Sequence, residues 1–171
     1  QVLAGANQAA LDIALTCDLD FIRVEGFAYA HVADEGWIEA DAGVLMRRRA
    51  HLGATHIEVW ADIKKKHSSH AVTADLSVRE IAEGALYYMA DGVIVTGGTT
   101  GQPASLAELD EIGDLPLRRA VGSGVTVGNL RDYAARADAL IVGSALKEGG
   151  DWRGAVDPRR VEAMVRLLHS L

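Results

Sequence analysis

An acid, three lysines and two histidines stand together at the end of one hydrophobic run. The segment reads WADIKKKHSSH over residues 60–70. Carboxylates and imidazoles transfer protons, while lysines bind phosphate, polarise carbonyl groups or form Schiff bases. Asp62 is therefore a candidate general base, Lys64 a candidate electrophile or phosphate partner, and His67 a candidate proton shuttle. The alternative is a solvated turn in which Asp62 only pairs with Lys64 or Arg23.

A second pair of charged residues has the spacing of one strand face. Arg23 and Glu25 are two residues apart in FIRVEG, and so are Asp62 and Lys64. Because side chains alternate along a strand, each pair is predicted to share a face and to form a polar layer over an apolar core. Glu25 then becomes an alternative general base. The same alternation predicts that Lys65 points outward as a solvated loop charge.

A divalent metal is a candidate cofactor, although the sequence does not require one. Imidazole and carboxylate groups are ordinary ligands of zinc, manganese and iron. The candidate ligands are His31, Asp34, Asp62, His67 and His70. HSSH is not a zinc-binding helix motif, and isolated histidines in loops more often serve as hydrogen-bond partners. In the same segment, Lys66 and His70 are the alternatives to Lys64 and His67.

The elements that must position these residues alternate between strands and helices. Short β-rich runs are each followed by a helical pattern; they cover residues 21–25, 57–63, 92–97, 118–124 and 139–144. The sequences SVRE and SLAE have the capping-box form and predict helices that begin after Ser77 and Ser105. Such alternation predicts βα units and a parallel sheet. Two architectures compete, a (β/α)8 TIM barrel and an open doubly wound sheet.

Glycine-ended strands favour the barrel. The sequences GSGVTVGN and IVGSALK end two consecutive strands with glycines, as in many barrels that bind phosphate after their seventh and eighth strands. Glycine lets backbone amides approach an anion. The predicted phosphate-binding residues are Gly122, Ser123, Gly124, Gly143 and Ser144. The dinucleotide fingerprint fits worse, since it needs a glycine where Val127 stands.

Counting back from these two strands makes residues 1–3, QVL, the end of a third strand. The chain then forms a single partial TIM-barrel domain over residues 1–171, with the last six βα units and without the first two. Asn7 is predicted to end the third strand and Thr96 the sixth. Both would face the barrel mouth, where an amide and a hydroxyl can orient substrate, although Asn7 could equally cap a turn.

Composition narrows the class of partner. The net charge is −7 and the basic residues are mostly scattered, so nucleic-acid binding is not expected. The longest apolar runs are too short for membrane insertion, and the lone Cys17 fits a reducing compartment. We therefore expect a cytoplasmic protein. A partial barrel exposes strand edges, so a homo-oligomer or another partner chain is a candidate assembly.

Several sequence blocks together resemble one known family. QVLAGAN, FIRVEGF, HVADEG, ADIKKKHSSH, DGVIVTGGTTG, GSGVT and IVGSALK occur in order along the whole chain, as in the BtpA/SgcQ family of TIM-barrel proteins. The resemblance implies a barrel fold. It also implies either an accessory role in photosystem I accumulation, as in cyanobacterial members, or a metabolic enzyme, as in bacterial members encoded with sugar-handling genes.

Two classes of function follow. The first is an enzyme that acts on a phosphorylated small molecule, derived from a sugar or a nucleotide, by lyase, isomerase or hydrolase chemistry. The second is a non-catalytic factor in the assembly or stability of a protein complex. Ionisable groups from two strand ends beside a phosphate loop favour the enzyme, because a scaffold needs no such polar layer.

Overall fold

The computed structural model describes residues 1–171 and contains six helices and eight strands. The helices are α1 (Asn7–Thr16), α2 (Ala42–His51), α3 (Val78–Tyr87), α4 (Leu106–Glu111), α5 (Leu130–Ala134) and α6 (Pro158–Leu168). The strands are β1 (Phe21–Val24), β2 (His31–Ala33), β3 (Gly36–Ile38), β4 (Glu58–Ile63), β5 (Ser68–Ser69), β6 (Gly92–Val95), β7 (Arg118–Val121) and β8 (Ala139–Leu140).

Five strands form one parallel sheet in the order β1-β4-β6-β7-β8. All four pairings are parallel, and a helix follows each strand before the next strand of the sheet, as the alternating sequence pattern predicts. Residues 1–3, predicted to end a sixth parallel strand, form no strand, so the six-unit count is not confirmed. Those residues lead directly into a turn and Leu3 is largely exposed, which leaves too few residues for a strand ladder.

A second, three-stranded antiparallel sheet was not predicted. Its order is β3-β2-β5. The β2–β3 hairpin comes from the loop after β1, and β5 comes from the loop after β4, so this small sheet joins the loops that leave two neighbouring strand ends. Strands of two or three residues leave little period in a sequence, which explains why the pattern did not reveal them.

The two faces of the parallel sheet bury different kinds of residue. Alternate strand residues such as Ile22, Val59 and Val93 pack with the helices in a core of 29 buried residues. The other face carries a small apolar cluster of Trp60, Ile94 and Ala120. Since a strand alternates its side chains, the residues that continue this inner face toward the carboxyl ends include the polar side chains that form the site.

Side chains that satisfy free amides mark three helix starts. The predicted capping box at α3 is present, with Ser77 and Glu80 bonding each other's backbone amides. Ser105 Oγ accepts a hydrogen bond from the Glu108 amide at α4, and Asp157 accepts one from the Arg159 amide at α6. These caps fix where the helices begin and therefore how long the strand-to-helix loops are.

Gly124 lets two of these loops pack together. It has φ of +70°, and a Cβ at this position would lie 2.4 Å from backbone atoms of Gln102 and Pro103. The loop after β7 therefore contacts the loop after β6 through a residue without a side chain. Gly101 has a similar φ of +80° but open space around it.

We expect Gly124→Ala to lower the free energy of unfolding by at least twice as much as Gly101→Ala. Both variants force alanine into the left-handed region, at about 1–2 kcal/mol, but only Gly124→Ala also collides with backbone. Urea denaturation of both variants measures the difference. Equal losses would contradict the close approach of the two loops.

Candidate functional site

Arg23 and Asp62 form a buried ion pair at the carboxyl end of the sheet. Arg23 Nε lies 3.1 Å from both Asp62 oxygens, and a terminal guanidinium nitrogen lies 3.0 Å from Oδ2. The Asp62 side chain is 0% exposed and that of Arg23 is 16% exposed. Burial raises the pKa of Asp62 to about 6, although the charge and hydrogen bonds of Arg23 act in the opposite direction. Both residues occupy the inner face, as the strand alternation predicts.

Lys65 forms the second buried ion pair and was wrongly predicted to point outward. Its side chain is 8% exposed, and Nζ lies 2.7 Å from Glu25 Oε2 and 3.2 Å from Glu35 Oε2. Burial alone would lower the pKa of Lys65, but hydrogen bonds and charges from Glu25 and Glu35 outweigh it and the pKa is raised. β4 ends at Ile63 and Lys64 has a left-handed φ of 45°, so strand alternation no longer applies beyond that residue.

The lysine that faces the ligand-sized cavity is Lys66, not Lys64. A cavity of about 800 Å³ opens beside the carboxyl ends of the strands, and Arg23 and Lys66 are among its lining residues. Burial, followed by the charge of Arg23, lowers the pKa of Lys66. Lys64 does not line this cavity; its charge acts on Glu108, whose pKa burial nevertheless raises. Lys64 lines a second, smaller cavity together with Asp62 and Lys65, and its role toward a substrate stays a prediction.

All five predicted phosphate-binding residues line the same cavity, which brings the loops after β7 and β8 together. The backbone amides of Ser123, Gly124, Gly143 and Ser144 donate to no acceptor within the chain. Ser123 is buried and Gly124 and Ser144 are half-buried, so their amides would normally have partners within the chain, whereas Gly143 is exposed to solvent. Free donors around one cavity can bind an anion from solution. Arg23 and Lys66 add positive charge to the same space.

Ser123 and Gly122 also have structural contacts. Ser123 Oγ accepts a hydrogen bond of 2.6 Å from the Gly97 amide and donates one of 2.9 Å to the Gln102 carbonyl. The hydroxyl is therefore occupied, and the Ser123 amide is the group left for a ligand. A Cβ on Gly122 would lie 2.7 Å from Ile94 and 2.9 Å from Thr96, so only glycine fits without a shift.

The two predicted substrate-orienting residues are both engaged with protein groups. Thr96 directly follows β6, and its Oγ1 accepts a hydrogen bond of 3.0 Å from the Lys66 amide. Asn7 begins α1 instead of ending a strand. Its amide group donates to the Glu25 carbonyl at 2.7 Å and to Asp41 at 3.0 Å. Thr96 thus fixes the backbone at Lys66, and Asn7 fixes the end of β1; their role toward a substrate stays a prediction.

The histidines do not assemble a metal site. No group of three His, Cys, Asp or Glu side chains in residues 1–171 could hold a metal ion. The candidate ligands instead have separate partners. His67 is exposed and bonds Thr100 at 2.9 Å, and His70 bonds the Lys65 carbonyl at 3.0 Å. His31 is buried, with its ring 5.6 Å from that of His70, while Asp34 is exposed. The candidate ligands His31, Asp34, Asp62, His67 and His70 therefore do not form a group of three around one point.

Of the five predicted catalytic residues, only Arg23 lines the large cavity. Asp62, Glu25, Lys64 and His67 do not. Asp62 lies behind Arg23 and holds its guanidinium, while Glu25 is enclosed by Lys65 and by Gln1, whose side-chain amide donates to it at 2.5 Å. The charges lie at the predicted strand ends, but no sequence pattern assigns which of the three consecutive lysines lines the large cavity.

Comparison with solved structures identifies the architecture. Thiamine phosphate pyrophosphorylase from Pyrococcus furiosus superposes with a TM-score of 0.60 at 16% identity, covering 94% of this chain and 64% of that one. Phosphoribosyl anthranilate isomerase from Thermus thermophilus gives the same score and identity, covering 96% and 68%. At this identity the likeness shows the fold alone. The parallel sheet is curled as a part of a TIM barrel.

The family follows from sequence comparison, because the BtpA family profile matches residues 1–170. The chain belongs to the BtpA family. An uncharacterized mitochondrial protein of Caenorhabditis elegans is 46% identical over 174 residues, which cover 100% of this chain and 62% of that protein. The photosystem I biogenesis protein BtpA of Synechocystis is 33% identical, covering 98% and 58%. This BtpA chain therefore spans about three fifths of the length of these relatives.

The comparisons leave the cellular compartment of this BtpA chain as a prediction. No helix in it is both long and apolar enough to cross a bilayer. The Caenorhabditis elegans relative is described as mitochondrial, so the family is not confined to the cytoplasm that the sequence favoured.

Asp62 is expected to make stability depend on pH. In the folded protein the Asp62 carboxyl keeps its proton up to about pH 6, because its pKa is raised. In the unfolded chain the same carboxyl releases its proton near the ordinary pKa of 3.8. The unfolded state therefore binds fewer protons between these values, and stability falls as pH rises. Relative to Asp62→Asn, the wild type should lose about 3 kcal/mol between about pH 4 and pH 7. Urea denaturation of both proteins across this range measures the loss; a flat or rising difference would contradict the burial of this carboxyl.

Lys65→Met should lower the free energy of unfolding by about 3 kcal/mol, because it leaves Glu25 buried without its cation. Lys64→Met is the matched control and should cost less than about 1 kcal/mol, since Lys64 has no buried partner. The double variant Lys65→Met with Glu25→Gln should recover part of the loss. Chemical denaturation of the three variants tests the assignment, which fails if the two lysine variants are equally stable.

Proposed function

We propose that this BtpA-family chain belongs to an enzyme that binds a phosphorylated small molecule, derived from a sugar or a nucleotide, in the large cavity. The observation that supports this most directly is the set of four unpaired amides, from Ser123, Gly124, Gly143 and Ser144, beside Arg23 and Lys66. Backbone amides and cations are the donors that phosphate oxygens require.

Arg23 is the fixed cation of this site. Its pairing with Asp62 orients the guanidinium in advance. The Arg23 side chain therefore loses less conformational entropy when it binds phosphate. We assign Asp62 as a positioning residue, because its carboxylate is enclosed and already occupied by Arg23. Preorganised donors of this kind bind anions more tightly than flexible surface lysines do.

Lys66 is the candidate for proton transfer. Burial, followed by the charge of Arg23, lowers the pKa of Lys66 from its ordinary value, and the residue faces the cavity. A neutral lysine amine can take a proton or attack a carbonyl carbon, whereas its protonated form can stabilise a developing anion. These roles fit lyase or isomerase chemistry on a phosphorylated carbonyl compound.

The fold neighbours support the proposal in a limited way. Both carry names that refer to phosphorylated compounds, thiamine phosphate in one and phosphoribosyl anthranilate in the other. The same fold can bind other ligands, so this support rests on analogy and the unpaired amides of this chain carry the greater weight.

A second candidate function is a non-catalytic role in the assembly of a protein complex. The name of the Synechocystis relative, a photosystem I biogenesis protein, favours it. This role would use the outer surface, and it would make no use of free amides inside a cavity. Phosphate binding therefore separates the two functions.

Titration with inorganic phosphate and with ribose 5-phosphate by calorimetry tests the proposal. We expect saturable binding to the wild type and binding weaker by about 10- to 100-fold in Lys66→Met, since a hydrogen bond to a charged group contributes about 1.5–3 kcal/mol. Lys64→Met removes the same charge outside the cavity and should bind as the wild type does. No binding at millimolar phosphate, or equal losses in both variants, would contradict the proposed site.

A further inference from the structure

One large aromatic side chain lines the cavity together with the phosphate-binding loops. Trp152 is 58% exposed and lines the cavity next to Asp151. An indole offers a large apolar ring face together with an N–H donor, both of which can contact a ligand. Phosphate binding alone gives the indole no role, because amides and cations already supply the contacts that a phosphate needs.

The loop that carries Trp152 is fixed by its own hydrogen bonds. Lys147 Nζ donates to the Trp152 carbonyl at 2.6 Å, and Lys147 pairs with Val156 in an isolated bridge that closes the loop. The Glu148 amide donates to the Ala155 carbonyl at 2.9 Å, inside this closure. The indole is therefore held at the cavity by a defined backbone, which reduces the entropy that a ring stacked on it would cost.

Arg153 lies over one face of the Trp152 ring. The Arg153 guanidinium carbon lies 5.1 Å from the centre of the Trp152 ring, a cation–π distance. A cation over one face leaves the opposite face for a second planar group. Base–aromatic stacking uses such a face and tolerates any base, because every base has a π surface.

The position of Trp152 in the topology separates it from the phosphate cations. Arg23 belongs to β1 at one edge of the parallel sheet, whereas Trp152 follows β8 at the other edge. The cavity between them, about 800 Å³, lies in the range of sites for ligands much larger than phosphate. Asp151, also on its lining, supplies a carboxylate that accepts hydrogen bonds from hydroxyl or ring N–H groups.

Building on the phosphate site proposed above, we infer that the ligand carries a planar heteroaromatic ring that stacks on Trp152 while its phosphate binds the amides of the loops after β7 and β8. A nucleoside monophosphate carries both groups. Trp152 is then a specificity-determining residue, and Asp151, whose Oδ1 accepts a hydrogen bond from the Arg153 amide, has its second carboxylate oxygen as an acceptor on the same lining.

Binding of adenosine 5′-monophosphate and ribose 5-phosphate to the same proteins tests this inference. The wild type should bind the nucleotide about 5- to 100-fold more tightly than the sugar phosphate, the range expected for one stacked base. Trp152→Leu should abolish this difference without weakening ribose 5-phosphate, and Trp152→Phe should retain part of it. Trp37→Leu is the matched control, because Trp37 is also 58% exposed but does not line the cavity.

The outcomes distinguish the two proposals. Equal affinity of the wild type for both compounds would overturn the stacking role while leaving the phosphate site intact. A difference that persists in Trp152→Leu, or disappears equally in Trp37→Leu, would also overturn it. Failure of both compounds to bind would contradict the phosphate site and this inference together. Thermal unfolding of each variant shows that the loss is one of binding and not of folding.

Discussion

The site depends on the buried pair of Arg23 and Asp62. A carboxylate that is 0% exposed is costly to ionise, and Arg23 is the cation that offsets part of that cost. The pair also fixes the guanidinium at the edge of the large cavity, and glycine at position 122 keeps the inner face open beside it. Removing either charge would leave the other buried without a partner, so the geometry of the cation and the stability of the sheet are linked.

The second buried pair extends the same constraint to the loops. Lys65 connects Glu25, at the end of β1, with Glu35, in the β2–β3 hairpin. The turn that directs Lys65 inward also places Lys66 on the cavity, and Thr96 holds the Lys66 amide. One lysine therefore stabilises the fold and its neighbour is free for a ligand. The small antiparallel sheet joins the same two loops as Lys65 does, namely the loop after β1 and the loop after β4.

Strand alternation predicted the fold class, the parallel sheet and the inward direction of Arg23 and Asp62, because these residues lie within strands. It failed at Lys65, because a left-handed backbone at Lys64 ends the alternation and no sequence pattern announces it. The glycine pattern predicted correctly that the loops after β7 and β8 lie at one cavity. It did not reveal that the Ser123 hydroxyl is occupied, because its partners Gly97 and Gln102 are distant in sequence. Trp152 was missed because a single exposed aromatic residue in a loop has no periodic signal.

If four backbone amides form an anion site, amide chemical shifts measured by NMR during a phosphate titration show it directly. We expect the amide signals of Ser123, Gly124, Gly143 and Ser144 to move together, with one saturating affinity. Shifts confined to exposed lysines, or shifts that grow linearly with ionic strength without saturating, would contradict it.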